Sequence, residues 1–281
     1  MLLIELNVNP NMATSEKGLS AALNAKTEGC GSETIVLAHG YGTDQSIWDK
    51  ILPLLAQNYR LVVFDWPFSG TINNKNLYDP VKYSSLEDFA DDLITLVNEM
   101  NLKTVTFVGH SMSGMIGCIA SIKRPQLFKR LVLVAASPRF QNSDDYEGGF
   151  SSSDIEQLLS NIETNYENFA SDFASSVGDS VNDLSVDKFE KSLIKMGPRV
   201  ALSLAKTIFH CDCREILGKV ETPCTIIQTT IDKAVPRSVA LYMEKKIKGE
   251  VTLEIIDTIG HFPQLTAPVK FVEVLKGALT S

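Results

Sequence analysis

The stretch that decides the fold is VGHSMSGMIG, residues 108–117. It follows a β-branched run, TVTFV at 104–108, and leads into a helical stretch at 112–122. A tight strand-to-helix turn can hold a serine in a strained conformation with its hydroxyl exposed, provided that its neighbours are small. Ser113 takes the fifth position of the usual G-x-S-x-G pattern. The stretch predicts that Ser111 is a nucleophile; the alternative is a simple turn capped by a serine.

Short apolar runs that alternate with helical stretches predict the architecture. Strands are expected at 34–38, 60–65, 104–108, 130–135, 224–229 and 251–256, and helices at 84–100, 112–122 and about 268–279. This alternation is typical of an α/β fold with a mostly parallel, doubly wound sheet and helices on both faces. The 281 residues, 44% of them hydrophobic, suffice for one such core.

One region interrupts this alternation. Residues 141–205 contain several helical stretches and no convincing buried strand. Because they fall between the fourth and fifth predicted strands, we expect a helical insertion over the carboxyl edge of the sheet, where open α/β sheets bind ligands. The core would then comprise residues 18–140 and 206–281, preceded by an N-terminal extension over residues 1–17.

A serine nucleophile needs a base, and the base needs a carboxylate that orients it. His261 is the strongest candidate base, because it alone of the four histidines comes late in the chain after a strand. His110 lies inside the strand-to-helix turn around Ser111, which we call the elbow. Its side chain is expected to point away from the nucleophile. Asp232, just past the fifth predicted strand, is the expected carboxylate, in the order serine, aspartate, histidine. Asp257 is a weaker alternative, because it is too close to His261 along the chain.

The oxyanion hole of such an enzyme needs two backbone N–H groups aimed at the developing negative charge. One is expected at Met112, directly after the nucleophile. The other is expected at Tyr41 in HGYG, residues 39–42, where the flanking glycines let the backbone approach the ligand. The alternative for HGYG is a simple glycine turn.

Composition argues against several other functions. The net charge of −8 disfavours nucleic acids and anionic membranes, and the uncharged stretch 104–122 is better explained by a buried strand and helix than by a membrane span. No phosphate-binding glycine loop follows the first predicted strand, so no cofactor is expected. His210, Cys211 and Cys213 are too tightly spaced for a metal clamp, and we interpret them as structural. Five cysteines with irregular spacing indicate a reducing compartment.

Aromatic side chains are frequent in the predicted insertion. Tyr166, Phe169 and Phe173 share one helical face through their i, i+3, i+7 spacing. Some of this apolar surface must pack the insertion onto the sheet, but the same face would also line a pocket above the serine. We therefore expect a small, mostly uncharged ligand. The other apolar side chains that contribute are Phe140, Phe150, Leu158, Phe189 and Phe209.

Several motifs together resemble the plant strigolactone and karrikin receptor hydrolases, the DWARF-fourteen and karrikin-insensitive-two proteins. The motifs are HGYGTDQSIWDK (39–50), GHSMSGMIG (109–117), ASPRF (136–140), DYEGGF (145–150), DKAVP (232–236) and GHFPQLTAP (260–268). The resemblance runs from about residue 18 to the C-terminus, and FDWPFSG (64–70) is most similar to the DWARF-fourteen-like-two branch. The serine in the fifth elbow position is shared by this family.

The resemblance implies an α/β-hydrolase fold with a four-helix lid inserted between core strands. It also implies a catalytic triad of Ser111, Asp232 and His261, with the oxyanion hole at Tyr41 and Met112. The family's pocket aromatics correspond to Tyr41, Phe140, Phe150, Phe169, Phe173, Phe189 and Phe209.

Three positions depart from the family's pattern. Tyr41, Phe169 and Phe262 stand where the family usually has Phe, Trp and Leu. The change at Tyr41 is expected to put a hydroxyl near the oxyanion hole. These differences leave the identity of the ligand open.

The resemblance also implies a function. We expect a monomer that slowly hydrolyses a small, apolar, butenolide-like ester or lactone, and that recruits an F-box protein and a repressor protein through the lid, in the cytoplasm and nucleus. The alternatives are a plain esterase, a pseudo-receptor that does not respond to strigolactones, and a haloperoxidase-like hydrolase with unrelated substrates.

Charge is distributed unevenly along the sequence. Residues 141–197 contain 12 acidic and 3 basic side chains, whereas the remaining residues contain 22 acidic and 23 basic ones. We therefore expect a lid with an aromatic inner face and an acidic outer face, and a basic protein partner on the outer face.

Overall fold

The computed structural model of the chain, which describes residues 18–178 and 183–280 without the side chains of 183 and 184, is built around a seven-stranded sheet. The predicted extension over residues 1–17 lies outside the described residues. The strands, β1 to β7, are Lys26–Glu28, Thr34–Ala38, Arg60–Val63, Val105–His110, Phe128–Val134, Cys224–Ile231 and Val251–Ile259.

The strand order is β1-β3-β2-β4-β5-β6-β7, and every neighbouring pair except β1 and β3 is parallel. The predicted mostly parallel sheet is therefore confirmed. The additional strand β1 was not expected from the sequence, because its three residues are polar or exposed and lack an apolar run.

Helices flank the sheet on both faces. In chain order, α1 to α11 are Leu19–Ala22, Leu52–Leu55, Leu86–Glu99, Met112–Lys123, Ser152–Thr164, Tyr166–Val177, Asp183–Met196, Pro198–Phe209, Arg237–Lys246, Pro263–Thr266 and Pro268–Thr280. The uncharged stretch 104–122 forms β4 and most of α4, both buried, as predicted. No helix among the described residues is long and apolar enough to cross a membrane.

Alternate residues of each strand point to opposite faces of the sheet, which creates two apolar layers. Val36 and Phe107 belong to a large cluster that includes the buried side chains of α3 and α4. Their neighbours Ile35 and Val108 belong to a second cluster with α2 and α11. Burial on both faces explains why these strands are nearly continuous apolar runs.

The chain between β5 and β6 carries α5, α6, α7 and α8, which we call the insertion, residues 152–209. Within it, α5 packs against α6 and α8, and α6 packs against α7. The last of these helices runs to Phe209, past the predicted limit at residue 205, because Ala205, Ile208 and Phe209 continue its buried face.

Candidate active site

The carboxyl ends of four parallel strands meet at one edge of the sheet. Tyr41 follows β2, Ser111 follows β4, Asp232 follows β6 and His261 follows β7. Residues far apart in the chain are thereby placed at one edge, beneath the insertion. This is the edge at which open α/β sheets place their ligands.

Ser111 lies in a strained turn between β4 and α4. Its backbone has φ 56° and ψ −124°, in the left-handed region that a non-glycine residue rarely adopts. The turn needs close backbone approach, since a Cβ on Gly109 would lie 2.5 Å from the Ser113 carbonyl oxygen, and one on Gly40 would lie 2.9 Å from the Ser111 Cβ. The Ser111 side chain makes no capping hydrogen bond to the helix, so its hydroxyl is available for other chemistry.

Ser113 connects the elbow to the loop that follows β2. Its fully buried hydroxyl donates to the His39 carbonyl oxygen at 2.5 Å and accepts from Trp66 Nε1–H at 2.9 Å. A glycine in this fifth position could make neither contact. The serine at this position therefore has a structural role, which is to hold the elbow against neighbouring loops, and the motif alone does not reveal it.

Asp232 and His261 form a buried pair. The His261 Nδ1–H donates to Asp232 Oδ2 at 2.7 Å. The other carboxylate oxygen accepts the backbone N–H groups of Ala234 at 2.8 Å and Val235 at 3.0 Å, which fixes the carboxylate. With Nδ1 held in this way, the imidazole presents Nε2 as the nitrogen able to accept a proton.

The alternative carboxylate, Asp257, takes no part in this pair. It is exposed on β7 and accepts the hydroxyl of Thr230 at 3.2 Å. It precedes His261 by only four residues, on the strand that leads to it, so it stays on that strand's outer side.

Tyr41 and Met112 carry the two backbone N–H groups that were expected to form the oxyanion hole. Met112 is the first residue of α4, where helical N–H groups have no partner within the helix. In the described part of the chain, the Tyr41 N–H likewise donates to no backbone carbonyl. Both amides are therefore free to bind an oxyanion.

The Tyr41 hydroxyl does not lie at the oxyanion hole, contrary to expectation. It donates to the carbonyl oxygen of Ala201 in α8 at 3.2 Å, so it belongs to the contact between core and insertion. Burial raises the pKa of Tyr41 well above its ordinary value, and the phenol is therefore neutral.

His110 supports the loop that carries His261, a role that sequence reasoning missed. Its Nε2–H donates to the His261 carbonyl oxygen at 2.8 Å, and it also lines the cavity described below. Burial, and next the adjacent His261, hold the pKa of His110 well below its ordinary value. The sequence does indicate this role indirectly: His110 lies at the end of a strand, directly beside the nucleophile, and side chains at that position lie close to the site.

His39 fixes the loop that carries Tyr41. Its Nε2 accepts the Trp66 backbone N–H at 2.9 Å, so the proton is on Nδ1, which lies 3.1 Å from the Gly40 carbonyl oxygen. Burial lowers the pKa of His39, although Asp65 acts in the opposite direction. The imidazole is thus a neutral structural group, and HGYG is more than a glycine turn.

A small apolar cavity lies over Ser111. It is about 30 Å³ in volume, and its wall is almost entirely aromatic and aliphatic. Ser111, His110 and His261 supply the polar groups of the wall. The apolar wall consists of Tyr41, Phe140, Phe150, Phe173, Val177, Phe189, Ile208, Phe209, Ala234 and Phe262.

Two predicted pocket residues need correction. Leu158 and Phe169 do not line the cavity over Ser111; they line a second, more open cleft of about 370 Å³ between α5 and α6. Phe150 and Phe173 border both spaces. The reason is that a helical face is wider than the cavity beneath it, so residues sharing that face reach different spaces.

The described residues contain no group of three or more His, Cys, Asp and Glu side chains placed to hold a metal ion. His210, Cys211 and Cys213 follow α8 at the end of the insertion, away from the cavity wall over Ser111.

Comparison with known proteins places this site in context. Residues 33–268 match the family described as alpha/beta hydrolase fold. Strigolactone esterase D14 of Arabidopsis thaliana is 42% identical over 265 residues, which cover 94% of this chain and 99% of that protein. Karrikin insensitive 2 receptor IA of Petunia hybrida is 42% identical over 92% of this chain and 94% of that protein. A solved hydrolase from Oleispira antarctica superposes with a TM-score of 0.90 at 30% identity, covering 94% of this chain and 96% of that chain.

Proposed function

Since the chain belongs to the alpha/beta hydrolase family, and within it to the group of the strigolactone esterases and karrikin receptors, we propose that it is a receptor-type serine hydrolase for a small butenolide-like ester or lactone. The observation that carries the proposal is the strained Ser111, which shares one apolar cavity with the His261 that Asp232 orients. Acyl transfer needs a serine, an oriented imidazole and an oxyanion hole close together, and the shared cavity supports this assignment.

The reaction follows from these positions. The Ser111 hydroxyl attacks the carbonyl carbon of the ligand while His261 Nε2 takes its proton, and the Tyr41 and Met112 N–H groups bind the negative oxygen. His261 then gives the proton to the leaving alcohol or enol, and the acyl group stays on Ser111. Water, activated by the same imidazole, releases the acid and restores the serine. Asp232 orients the imidazole and stabilises its charged form throughout.

The cavity wall supports a small uncharged ligand. The described residues that line it include no carboxylate, lysine or arginine, so an ionic ligand would lose its hydration without gaining a partner. The aromatic wall leaves a cavity of only about 30 Å³ over Ser111, and aromatic side chains of the insertion move aside when a butenolide ring binds. Slow turnover is the expected consequence of such a step.

Movement of the insertion is the feature that favours a receptor over a plain esterase. We propose that ligand binding or cleavage shifts the insertion, which acts as a lid and recruits an F-box protein and a repressor protein. The acidic outer face of the insertion supports this role, because Glu163 and Glu167 are exposed and face no basic partner in the described residues. Cytoplasm and nucleus are the compartments that this role requires.

The test of the hydrolase is the variant Ser111→Ala with a fluorogenic butenolide ester. We expect kcat/KM to fall by about a thousandfold or more, because Ser111 is the hydroxyl that takes the acyl group in the proposed mechanism. The matched control, Ser84→Ala, removes an exposed serine and should leave the rate unchanged. Wild-type rates in the Ser111 variant would exclude the mechanism.

Ligand binding can be followed separately from cleavage. Because Ser111→Ala cannot consume the ligand, its melting temperature should rise in the presence of the accepted butenolide stereoisomer and not of the mirror image. Fast turnover in the wild type without any ligand-dependent partner binding would instead support a plain esterase.

A further inference from the structure

Two cysteines that the proposed reaction does not use lie where the chain leaves the insertion and returns to the core. Phe209, the last residue of α8, lines the catalytic cavity, and Cys211 and Cys213 follow it directly. Both side chains are half-buried, and both line one surface cavity of about 320 Å³. A small molecule can therefore reach both sulfurs.

The two thiols lie side by side in the same surface cavity and differ in pKa. The neighbouring Cys211 side chain lowers the pKa of Cys213 below its ordinary value. The Cys213 side chain, followed by burial, raises the pKa of Cys211. Because the thiolate is the form that oxidants attack, Cys213 should react first, and Cys211 lies beside it.

The pair also lies where the two ends of the insertion meet. The Cys213 N–H donates to the Pro138 carbonyl oxygen at 2.7 Å, just after β5. Between the cysteines, Asp212 accepts from Arg139 at 2.8 Å and from Arg214 at 2.7 Å. The segment that carries both thiols thus connects the chain that leaves β5 to the chain that follows the insertion.

We propose that Cys211 and Cys213 form a reversible redox pair, oxidised by a peroxide to an intramolecular disulfide that rearranges the junction between insertion and core. The Cys213 thiolate attacks one oxygen of hydrogen peroxide and breaks the O–O bond. Hydroxide leaves, takes up a proton as water, and the sulfur becomes a sulfenic acid. The Cys211 sulfur then attacks it, forming the S–S bond and releasing a second water. In total, two thiols lose two hydrogen atoms and one peroxide becomes two waters.

The disulfide has a direct consequence for the insertion. Joining side chains two residues apart draws the turn between them tighter, and this strains the present contacts of the Cys213 N–H to Pro138 and of Asp212 to Arg139. Phe209, only two residues before the new ring, then moves in the cavity wall.

The chain is well suited to a direct test. Cleavage after Lys206 and Arg214 gives the tryptic peptide 207–214, which contains Cys211 and Cys213 and no other cysteine. After brief treatment of the folded protein with hydrogen peroxide, and alkylation, we expect this peptide to lose two hydrogen atoms in mass and to resist alkylation. Thiol reductant should restore both thiols.

Two variants and an internal reference make this outcome decisive. In Cys211→Ser, the Cys213 sulfenic acid should persist and be trapped by dimedone; in Cys213→Ser, Cys211 should stay alkylatable. The exposed Cys30, in peptide 27–50, reports the dose of oxidant. If Cys30 is oxidised while both thiols of peptide 207–214 remain free, the proposal is wrong.

A second measurement concerns the junction and rests on the proposed hydrolysis, unlike the mass measurement. In a Cys30→Ser background, oxidation should lower probe hydrolysis by about tenfold, because a displaced wall residue misplaces the ligand. The same background with Cys211→Ser and Cys213→Ser controls for oxidation of methionines, and peroxide should not change its rate. If oxidation lowers the rate of hydrolysis equally in both proteins, the disulfide does not act on the cavity, whether or not the mass measurement shows that it forms.

Discussion

At the scale of single residues, the site depends on small side chains that permit close contact. Ser111 keeps a left-handed backbone conformation because Gly40 and Gly109 leave room around it. Ser113 adds what a glycine could not, one hydrogen bond to His39 in the HGYG loop and one from Trp66, which follows β3. The elbow and the oxyanion hole are thus one connected unit.

Replacing Ser113 with alanine removes these hydrogen bonds and leaves Ser111, Asp232 and His261 unchanged. The His39 carbonyl and the Trp66 indole would each lose one buried partner but keep their own hydrogen bond at 3.0 Å, so we expect a loss of about 1 kcal/mol in the free energy of unfolding. The rate of hydrolysis should also fall, because Tyr41 is carried by the same loop. Urea unfolding and probe kinetics measure the two effects.

Ser121→Ala is the control for that prediction, since Ser121 is also buried in α4 but bonds only to the Cys118 carbonyl within its own helix. Its rate of hydrolysis should remain that of the wild type. An equal loss of rate in both variants would show that Ser113 has no special connection to the loop.

At the scale of elements, the strands position the site and α7 fixes the insertion over it. Lys188 of α7 donates to the carbonyl oxygen of Ser46, in the short 3-10 turn Gln45–Trp48, and pairs with Asp49 at 3.3 Å. Ser192, one turn further along, donates to Asp44 at 3.3 Å. These contacts join the helix that carries Phe189 to the core.

Breaking the Lys188 contacts should loosen α7. In Lys188→Met we expect about 1 kcal/mol less stability and faster amide hydrogen exchange in α7, because the Ser46 carbonyl and the Asp49 carboxylate lose their donor. Lys191→Met is the matched control on the same helix: its side chain is 78% exposed and makes only a 3.8 Å pair with Asp187. Exchange rates that rise equally in both variants would contradict the role of Lys188.

At the scale of the whole molecule, charge separates the insertion from the core. Its acidic excess is the basis for expecting a basic protein partner. Reversing Glu163 and Glu167 to lysine should weaken ligand-dependent binding of an F-box partner by about tenfold, as measured by titration at low salt. Glu254→Lys, on exposed β7, is the control. Binding that is unchanged by the double reversal would place the partner elsewhere.

Stability of the whole molecule should depend on pH through two buried histidines. His39 and His110 have lowered pKa values in the folded chain, whereas an unfolded histidine titrates near 6.5. Below about pH 6.5 the unfolded state therefore binds more protons, and the free energy of unfolding falls as pH drops, by at most about 1.4 kcal/mol per pH unit for each histidine. Their contribution is complete above that pH.

Urea unfolding between about pH 5 and 7.5 measures this slope. His110→Gln should reduce it, whereas a change at the exposed His210, His210→Gln, should not. A slope that is the same in the His110 variant would show that this imidazole takes up its proton equally in both states.

The sequence by itself determined the parallel sheet and its flanking helices. Strands buried on both faces must be almost wholly apolar, and the turn after β4 must carry small residues, so both leave local signals. The elbow, the late histidine and the aspartate after β6 could be named for the same reason, since strand ends mark the edge where side chains converge. β1 left no such signal, because its residues are polar or exposed.

Only the tertiary structure decided which neighbours these residues have. That Ser113 bonds to His39, that His110 supports the His261 loop, and that the Tyr41 hydroxyl reaches Ala201 depend on distances between segments far apart in the chain. Leu158 and Phe169 were assigned to the wrong cavity for the same reason: helical spacing defines a face but not the depth to which that face is buried. Periodicity is a local property, whereas contact is set by how whole elements pack.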